Sequence, residues 1–351
     1  EIEIVYFEGD LDAWDSLPNF PDLEKAGVSV KMLKIRKTNI NLLRRIEKHA
    51  ARLPFFNPYH KLQIKEFKKY LKETNPDILH SFGFDYYGFW GTKTNFSPHL
   101  ATVLGSDISE PNMSISKKKR VIVAAKANAV HLHDKYGYDR LLQLNAKPTK
   151  AYIHQWGVDS SFYNPKLRSE EIRKEIMGNS QFLITCVRNL SPIYNLNIFL
   201  KSAQRILESG RRIRLIFIGS GPNLSSCQDY VINNNLSTYI SFEPEIPHEA
   251  LNEFYNSIEL FVLPSYYEAL GCVYLEAWAT NTPFIAVKGQ GIAELAPHAD
   301  KMLSDANNVK DLTEKIYYFM DNEFVLDSVK NLDINKTISQ FLSLDFFKYY
   351  D

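Results

Sequence analysis

The sequence has no apolar run of about 20 residues, the length that crosses a bilayer, so no membrane-spanning helix is expected. It has only three cysteines, Cys186, Cys227 and Cys272, odd in number and far apart. That excludes a disulfide framework and a cysteine zinc site, and it points to a reducing, cytoplasmic setting. No strict repeat, low-complexity tract or nucleic-acid-binding motif is present, so nucleic acid is not an expected partner. The opening Glu1-Ile2-Glu3-Ile4-Val5-Tyr6-Phe7 lacks the basic start and long apolar stretch of a signal peptide and reads as a strand. Without an initiator Met, the chain reads as trimmed.

What is present is enough for two cores. The chain has 351 residues, 45% of them apolar, and a single core rarely serves that length. Its 41 basic and 41 acidic residues cancel, but unevenly: residues 1–150 hold 24 Lys plus Arg against 17 Asp plus Glu, a net +7, which leaves −7 for the rest. Strand and helix patterns alternate, as in a parallel α/β sheet. Strands are expected at Ile4 to Phe7, Val28 to Leu33, Asp77 to His80, His99 to Leu104, Ala129 to Leu132 and Ala151 to His154. Helices are expected over 39–52, 60–73, 119–126 and 135–144. After a boundary near 157–179 come strands at Phe182 to Val187, Leu215 to Ile218, Leu260 to Leu263 and Phe284 to Val287. Helices are expected from Leu196 and over 309–320, and an amphipathic tail over 335–350.

The chemistry concentrates after Leu260-Phe261-Val262-Leu263, a run too short for a buried helix and suited to a buried parallel strand. Pro264-Ser265-Tyr266-Tyr267 ends it. Glu268 and Gly271 follow, and then apolar residues at helical spacing: Val273, Leu275, Ala277 and Trp278. Ligands of open parallel sheets bind beyond the carboxyl ends of the strands. Glu268 is therefore expected on a loop at the site, and Glu276 about two turns into the helix. The N–H groups of Leu270, Gly271 and Cys272 would face an anion. That suits a substrate that is part sugar and part phosphate. Spacing alone favours a plainer pair, a helix-capping Glu and a solvated one, because Glu is common near helix starts.

Pro264-Ser265, Glu268, Gly271, Leu275-Glu276-Ala277, Thr282-Pro283-Phe284-Ile285-Ala286 and Gly289-Gln290-Gly291-Ile292-Ala293-Glu294 resemble the donor site of the family 4 retaining glycosyltransferases. Glu268 and Glu276 meet that family's Glu-x7-Glu spacing. Gly157-Val158-Asp159, Phe162 and Asn164-Pro165 are similar to its hinge motif. The resemblance implies an α/β chain of the GT-B fold: two Rossmann-like domains facing across a cleft, with a C-terminal helix returning to the first. The implied divisions are 1–165 for the acceptor, 166–333 for the donor and 334–351 for the returning helix. It further implies a sugar moved from a nucleoside diphosphate, UDP favoured, to a hydroxyl acceptor, with no metal and no cofactor besides the donor. Glu276 would accept from the ribose hydroxyls, and Glu268 would act catalytically at the sugar ring. Gly219 and Gly221 would line the nucleotide, and Gln290, Gly291 and Ile292 the sugar or phosphate pocket.

Two places depart from the family pattern. The family has an Arg just before the residue matched by Leu190 and a Lys four after it; here these are Asn189 and Tyr194. Arg188, one residue early, is the candidate replacement, helped by Tyr194, the helix start at Gly271 or Lys288; the alternative is slow catalysis or a different donor. Many members also carry a His where this chain has Leu104. Asp107 or Ser106 would then take the polar role, although Asp107 can equally be an N-cap. His131-x-His133-Asp134 has metal-like content but no third ligand, so structural roles are expected. Lys117-Lys118-Lys119-Arg120, and Arg44, Arg45, Lys48 and Arg52 ahead of Phe55-Phe56, offer a surface for peripheral contact with an anionic membrane. Two other activities share these features: a GT-B nucleotide-sugar epimerase and a non-catalytic nucleotide-sugar-binding partner subunit.

Overall fold

The computed structural model describes residues 2–7, 28–33, 58–84, 87–109, 114–166, 169–177, 180 and 182–348. The helix expected over 39–52, with its basic residues and Phe55-Phe56, lies outside them.

Among the described residues the strands form three sheets. The first pairs β1 (Ile2–Phe7) with β2 (Val28–Leu33). The second runs in the order β3 (Leu79–Phe82), β4 (His99–Thr102), β5 (Ala129–Leu132) and β6 (Ala151–Ile153). The third holds β7 (Phe182–Val187), β8 (Ile213–Ile218), β9 (Ile240–Glu243), β10 (Leu260–Val262), β11 (Phe284–Val287) and β12 (Leu303–Ser304), in spatial order β12-β11-β10-β7-β8-β9. β7 registers Ile184 against both Leu215 of β8 and Leu260 of β10. β10 and β11 are buried along their whole length, as apolar strands covered on both faces must be.

By contact, the chain divides into two compact units. One is Glu1–Thr102 with Asn112–Val130 and Ala146–Lys150; the other is Val103–Pro111, His131–Asn145 and Ala151–Asp351. In the first, Trp90 of the helix Tyr87–Thr94 is buried against Leu62, Ile64 and Phe67 of the helix Pro58–Thr74. In the second, helices Leu196–Glu208, Leu224–Asn233, His248–Asn256, Cys272–Ala279 and Val309–Asp321 pack on the six-stranded sheet. The strand Ile240–Glu243 and the helices at Tyr87, Leu224 and His248 go beyond the pattern legible in the sequence. Several helices end on a left-handed Asn rather than a Gly: Asn75, Asn95, Asn145, Asn235 and Asn281. Asn tolerates that conformation better than other non-Gly residues, because its amide can bond locally.

The last helix, Ile334–Leu342, returns to the start of the second unit. Val158 N–H donates to Leu332 O at 2.8 Å, and Ile334 N–H to Val158 O at 2.9 Å. A Cβ on Gly157 would collide with Thr337, Ile334 and Leu332, so only glycine admits this crossing. Phe341 then packs on His131, His154 and Trp156, with ring centroids 4.8, 5.8 and 5.7 Å away.

Candidate functional site

The site is built where β7 and β10 end, within the second unit. After β10 the chain leaves the sheet at Leu263, runs through Glu268 and enters the helix Cys272–Ala279 at Gly271. Gly271 has φ +68°, and a Cβ there would lie 2.7 Å from Tyr274 Cδ2 and 2.8 Å from Glu268 Cγ. Only glycine takes this turn without strain. The helix start has no side-chain cap. Among the described residues no backbone acceptor faces the N–H groups of Leu270, Gly271 or Cys272. A helix start of this kind carries a partial positive charge and unmet donors.

Arg188, just past the end of β7, supplies the cation. Its Nη2 donates to Glu268 Oε2 at 3.2 Å, and its guanidinium lies over the Tyr194 ring, 4.9 Å from the centroid. Its side chain is 31% exposed, and its buried Nε has no acceptor. Tyr194 thus supports the arginine through its ring face, a cation–π contact. Glu268 is 9% exposed. Burial pushes its carboxyl up, against the pull of Arg188 and the Ala269 N–H. Glu276 is also raised by burial, and Tyr255, His248 and Arg188 act against that rise. Tyr255 donates its hydroxyl to Glu276 Oε2 at 3.3 Å. The residue Cys272 is exposed and its thiol is free. The two glutamates, the arginine and the open helix start therefore share one neighbourhood.

The other expected residues fall as follows. Gly219 and Gly221 let the loop after β8 touch the loop after β7: a Cβ on Gly219 would strike Arg188 O, and one on Gly221 would lie 2.7 Å from Leu190 N. Gly219 N–H already donates to Glu243 O at 3.0 Å. Gln290 is buried and donates to Ser265 O at 2.5 Å, while its Oε1 has no partner. Gly291 lies against Ala269 O, where no Cβ fits, and Ile292 is fully buried in the core. Asp107 points back into its own loop, its Oδ1 accepting from Leu104 N–H at 3.1 Å and Gly105 N–H at 2.9 Å. Lys288 pairs with Asp305 at 2.6 Å on the surface. His131 Nε2 meets His154 O at 3.0 Å, and His133 Nε2 accepts from the Trp156 indole at 3.0 Å. Burial holds both imidazoles neutral, lowering their pKa values to about 3 and about 4.

Sequence reasoning gave no role to Tyr255 or Tyr267, and it carried Glu294 only as part of the donor-site resemblance. Tyr255 lies 21 residues before the Glu276 it contacts, and no local pattern announces the pairing. Glu294 accepts from Lys135 N–H at 3.2 Å and Tyr136 N–H at 3.0 Å, more than 150 residues away in sequence.

Comparison with known proteins assigns the family. A family model described as glycosyl transferases group 1 matches residues 168–337, and one described as glycosyl transferase 4-like matches residues 20–134. Over residues 168–337 the chain belongs to the group 1 glycosyltransferases. Among curated relatives of this chain is D-inositol 3-phosphate glycosyltransferase of Mycobacteroides abscessus. It is 24% identical over 58% of this chain and 47% of its own length. Another is 2-deoxystreptamine N-acetyl-D-glucosaminyltransferase of Niallia circulans, 23% identical over 61% of this chain and 55% of its own. The chain thus spans about half the length of the curated relatives it matches. Among solved structures, sucrose-phosphate synthase from Thermosynechococcus elongatus superposes with a TM-score of 0.71 at 15% identity, covering 100% of this chain and 98% of that one. Anabaena HepE in complex with UDP-glucose gives 0.69 at 13% identity, with the same coverage. The fold is GT-B. Among the described residues no helix is long and apolar enough to cross a membrane, and no cluster of His, Cys, Asp or Glu could hold a metal ion.

Proposed function

We propose that the chain is a retaining glycosyltransferase that moves a sugar from a nucleoside diphosphate, UDP favoured, to a hydroxyl of a glycan, glycolipid or small molecule. The observation that carries this reading is Arg188: one guanidinium arm on Glu268, its Nε without an acceptor, beside an uncapped helix start. A diphosphate supplies the anionic oxygens that such donors take, and charge-assisted bonds of this kind are the strong ones. Glu276 accepts from the ribose hydroxyls, and Glu268 from hydroxyls of the sugar ring. Bond breaking leaves charge on the sugar and on the departing phosphate; Glu268 faces the first and Arg188 with the helix start the second. The departing phosphate accepts the proton of the acceptor hydroxyl on the same face, so the anomeric configuration is retained. Asp107 is engaged by its own loop and shapes it. The reaction needs no metal. The acceptor domain spans 1–165 and the donor domain 166–333, and the basic first half offers a peripheral surface for anionic membranes.

The relatives' names support transfer to hydroxyl-bearing small molecules such as D-inositol 3-phosphate and 2-deoxystreptamine. UDP-glucose bound to HepE supports a UDP-sugar donor. A thermal-shift panel of UDP-, GDP-, ADP- and TDP-glucose tests the reading. The largest upward shift is expected with UDP-glucose, and no shift with any of them sinks it. Tyr194 in place of a second cation favours one other reading, a non-catalytic nucleotide-sugar-binding subunit. That one predicts donor binding without turnover against any acceptor.

A further inference from the structure

Tyr267 sits one residue before Glu268 and is 7% exposed. Its hydroxyl has no hydrogen-bond partner among the described residues. The two fully buried tyrosines nearby differ: Tyr274 donates to Leu263 O at 2.7 Å and Tyr255 to Glu276. A buried hydroxyl left unmet is costly, so native structures keep few of them.

The ring is held firmly. It packs on Tyr136 with centroids 5.6 Å apart, and Gly105, at φ +103°, brings its backbone so close that a Cβ there would lie 3.4 Å from Tyr267 Cε1. Burial first, then Asp134, Asp107, Tyr136 and Glu268, push the phenol pKa far up. Tyr267 therefore stays protonated and keeps a hydrogen to offer. The three carboxylates near it serve other donors: Asp107 takes its loop N–H groups, Asp134 Oδ1 the Gly137 N–H at 2.5 Å, and Glu268 Oε2 the guanidinium of Arg188. A fixed donor among carboxylates that do not reach it frames one kind of group, an alcohol, which accepts from one side and donates to the other.

We propose that the Tyr267 hydroxyl donates a hydrogen bond to a hydroxyl of the transferred sugar and, with Glu268, fixes which sugar the site accepts. The proposal rests on the reading that a nucleotide sugar binds here. Tyr267 is a binding and specificity residue, since a phenol kept protonated cannot take the acceptor proton.

The test is calorimetric titration of wild type and Tyr267→Phe with UDP and with UDP-glucose. The Phe ring keeps the contacts to Tyr136 and Gly105. UDP affinity should be unchanged and UDP-glucose affinity should fall about five- to tenfold. The melting temperature should hold or rise, because an unmet buried hydroxyl is gone. One monodeoxy analogue of UDP-glucose should bind wild type as weakly as UDP-glucose binds the variant. Unchanged UDP-glucose affinity in the variant, an equal loss for UDP, or full affinity of wild type for every monodeoxy analogue overturns the proposal while leaving the glycosyltransferase reading intact. If wild type binds neither probe, nor the GDP, ADP or TDP counterparts, the glycosyltransferase reading falls and the role of Tyr267 with it.

Discussion

Two helix starts in the second unit show what the protein closes and what it leaves open. The helix Lys135–Gln143 is filled by its own anions: Asp134 accepts from Gly137 N–H, and Glu294 from Lys135 and Tyr136 N–H. The helix Cys272–Ala279 begins at Gly271 with no side-chain cap, and its nearest carboxylates, Glu268 and Glu276, bond to Arg188 and Tyr255. Both starts carry the same dipole and the same unmet donors. One is satisfied within the chain, at the cost of crowding two carboxylates. The other keeps its donors for an anion from outside. The difference lies in the anions supplied: Asp134 and Glu294 close the first start, and Gly271 leaves the second without a side-chain cap.

The comparison can be broken most severely at Gly271. Gly271→Val places a branched side chain at φ +68° against Tyr274 and Glu268, and UDP-glucose affinity should fall on the order of 100-fold or more. Calorimetry checks this, and an unaffected variant would remove the open start from the site. Next comes Glu276→Ala, expected to weaken UDP and UDP-glucose alike by about 10- to 100-fold, and to affect donor binding more than the bound-state rate. Affinity retained in that variant excludes the ribose role.

At the closed start the effects are smaller and fall on stability. Burial, with Glu294 adding to it, raises Asp134 to about 6 from the ordinary 3.8, and the Gly137 N–H opposes the rise. The folded state thus holds that proton more tightly than the unfolded chain does. Its contribution to stability is lost as pH rises from about 4 through about 6, and the penalty is full above that. Asp134→Asn keeps a capping oxygen and removes the charge. It should be more stable than wild type by about 1–2 kcal/mol at pH 8 and equal to it near pH 4, as read from denaturant melts at both values. Glu294→Ala should cost about 1 kcal/mol by leaving two N–H groups unmet, with a smaller effect on UDP-glucose affinity than Glu276→Ala. A donor-affinity loss as large as that of Glu276→Ala would erase the distinction between the two starts.

Much of the fold was legible in the chain. β10 and β11 are short unbroken apolar runs, β7 is one broken only by Thr185, and the helix Val309–Asp321 shows the 3.6-residue period, so these could be read from local pattern. Helix Tyr87–Thr94, whose Gly88 and Gly91 weaken a helical pattern, and helix Leu224–Asn233, whose first turn carries Ser225 and Ser226, could not, because tertiary packing overrides such propensities. At the site, Glu268, Glu276 and Gly271 were recognisable because one strand–loop–helix segment carries all three. Arg188 was recognisable as a stray cation beside the expected position. The role of Tyr194 as a platform for Arg188, the inward turn of Asp107 and the unmet hydroxyl of Tyr267 were not, since each depends on neighbours brought in from other segments.

The sequence by itself determined many of the strands and helices, the site segment and its glycine turn, because these follow from hydrophobic period and local backbone sterics. Only the tertiary structure decided which carboxylates are engaged and which donors stay unmet. Burial and hydrogen-bond partnership are properties of space: Glu294 lies beside Lys135, and Tyr255 beside Glu276, through the packing of sheets and helices that no window of sequence contains.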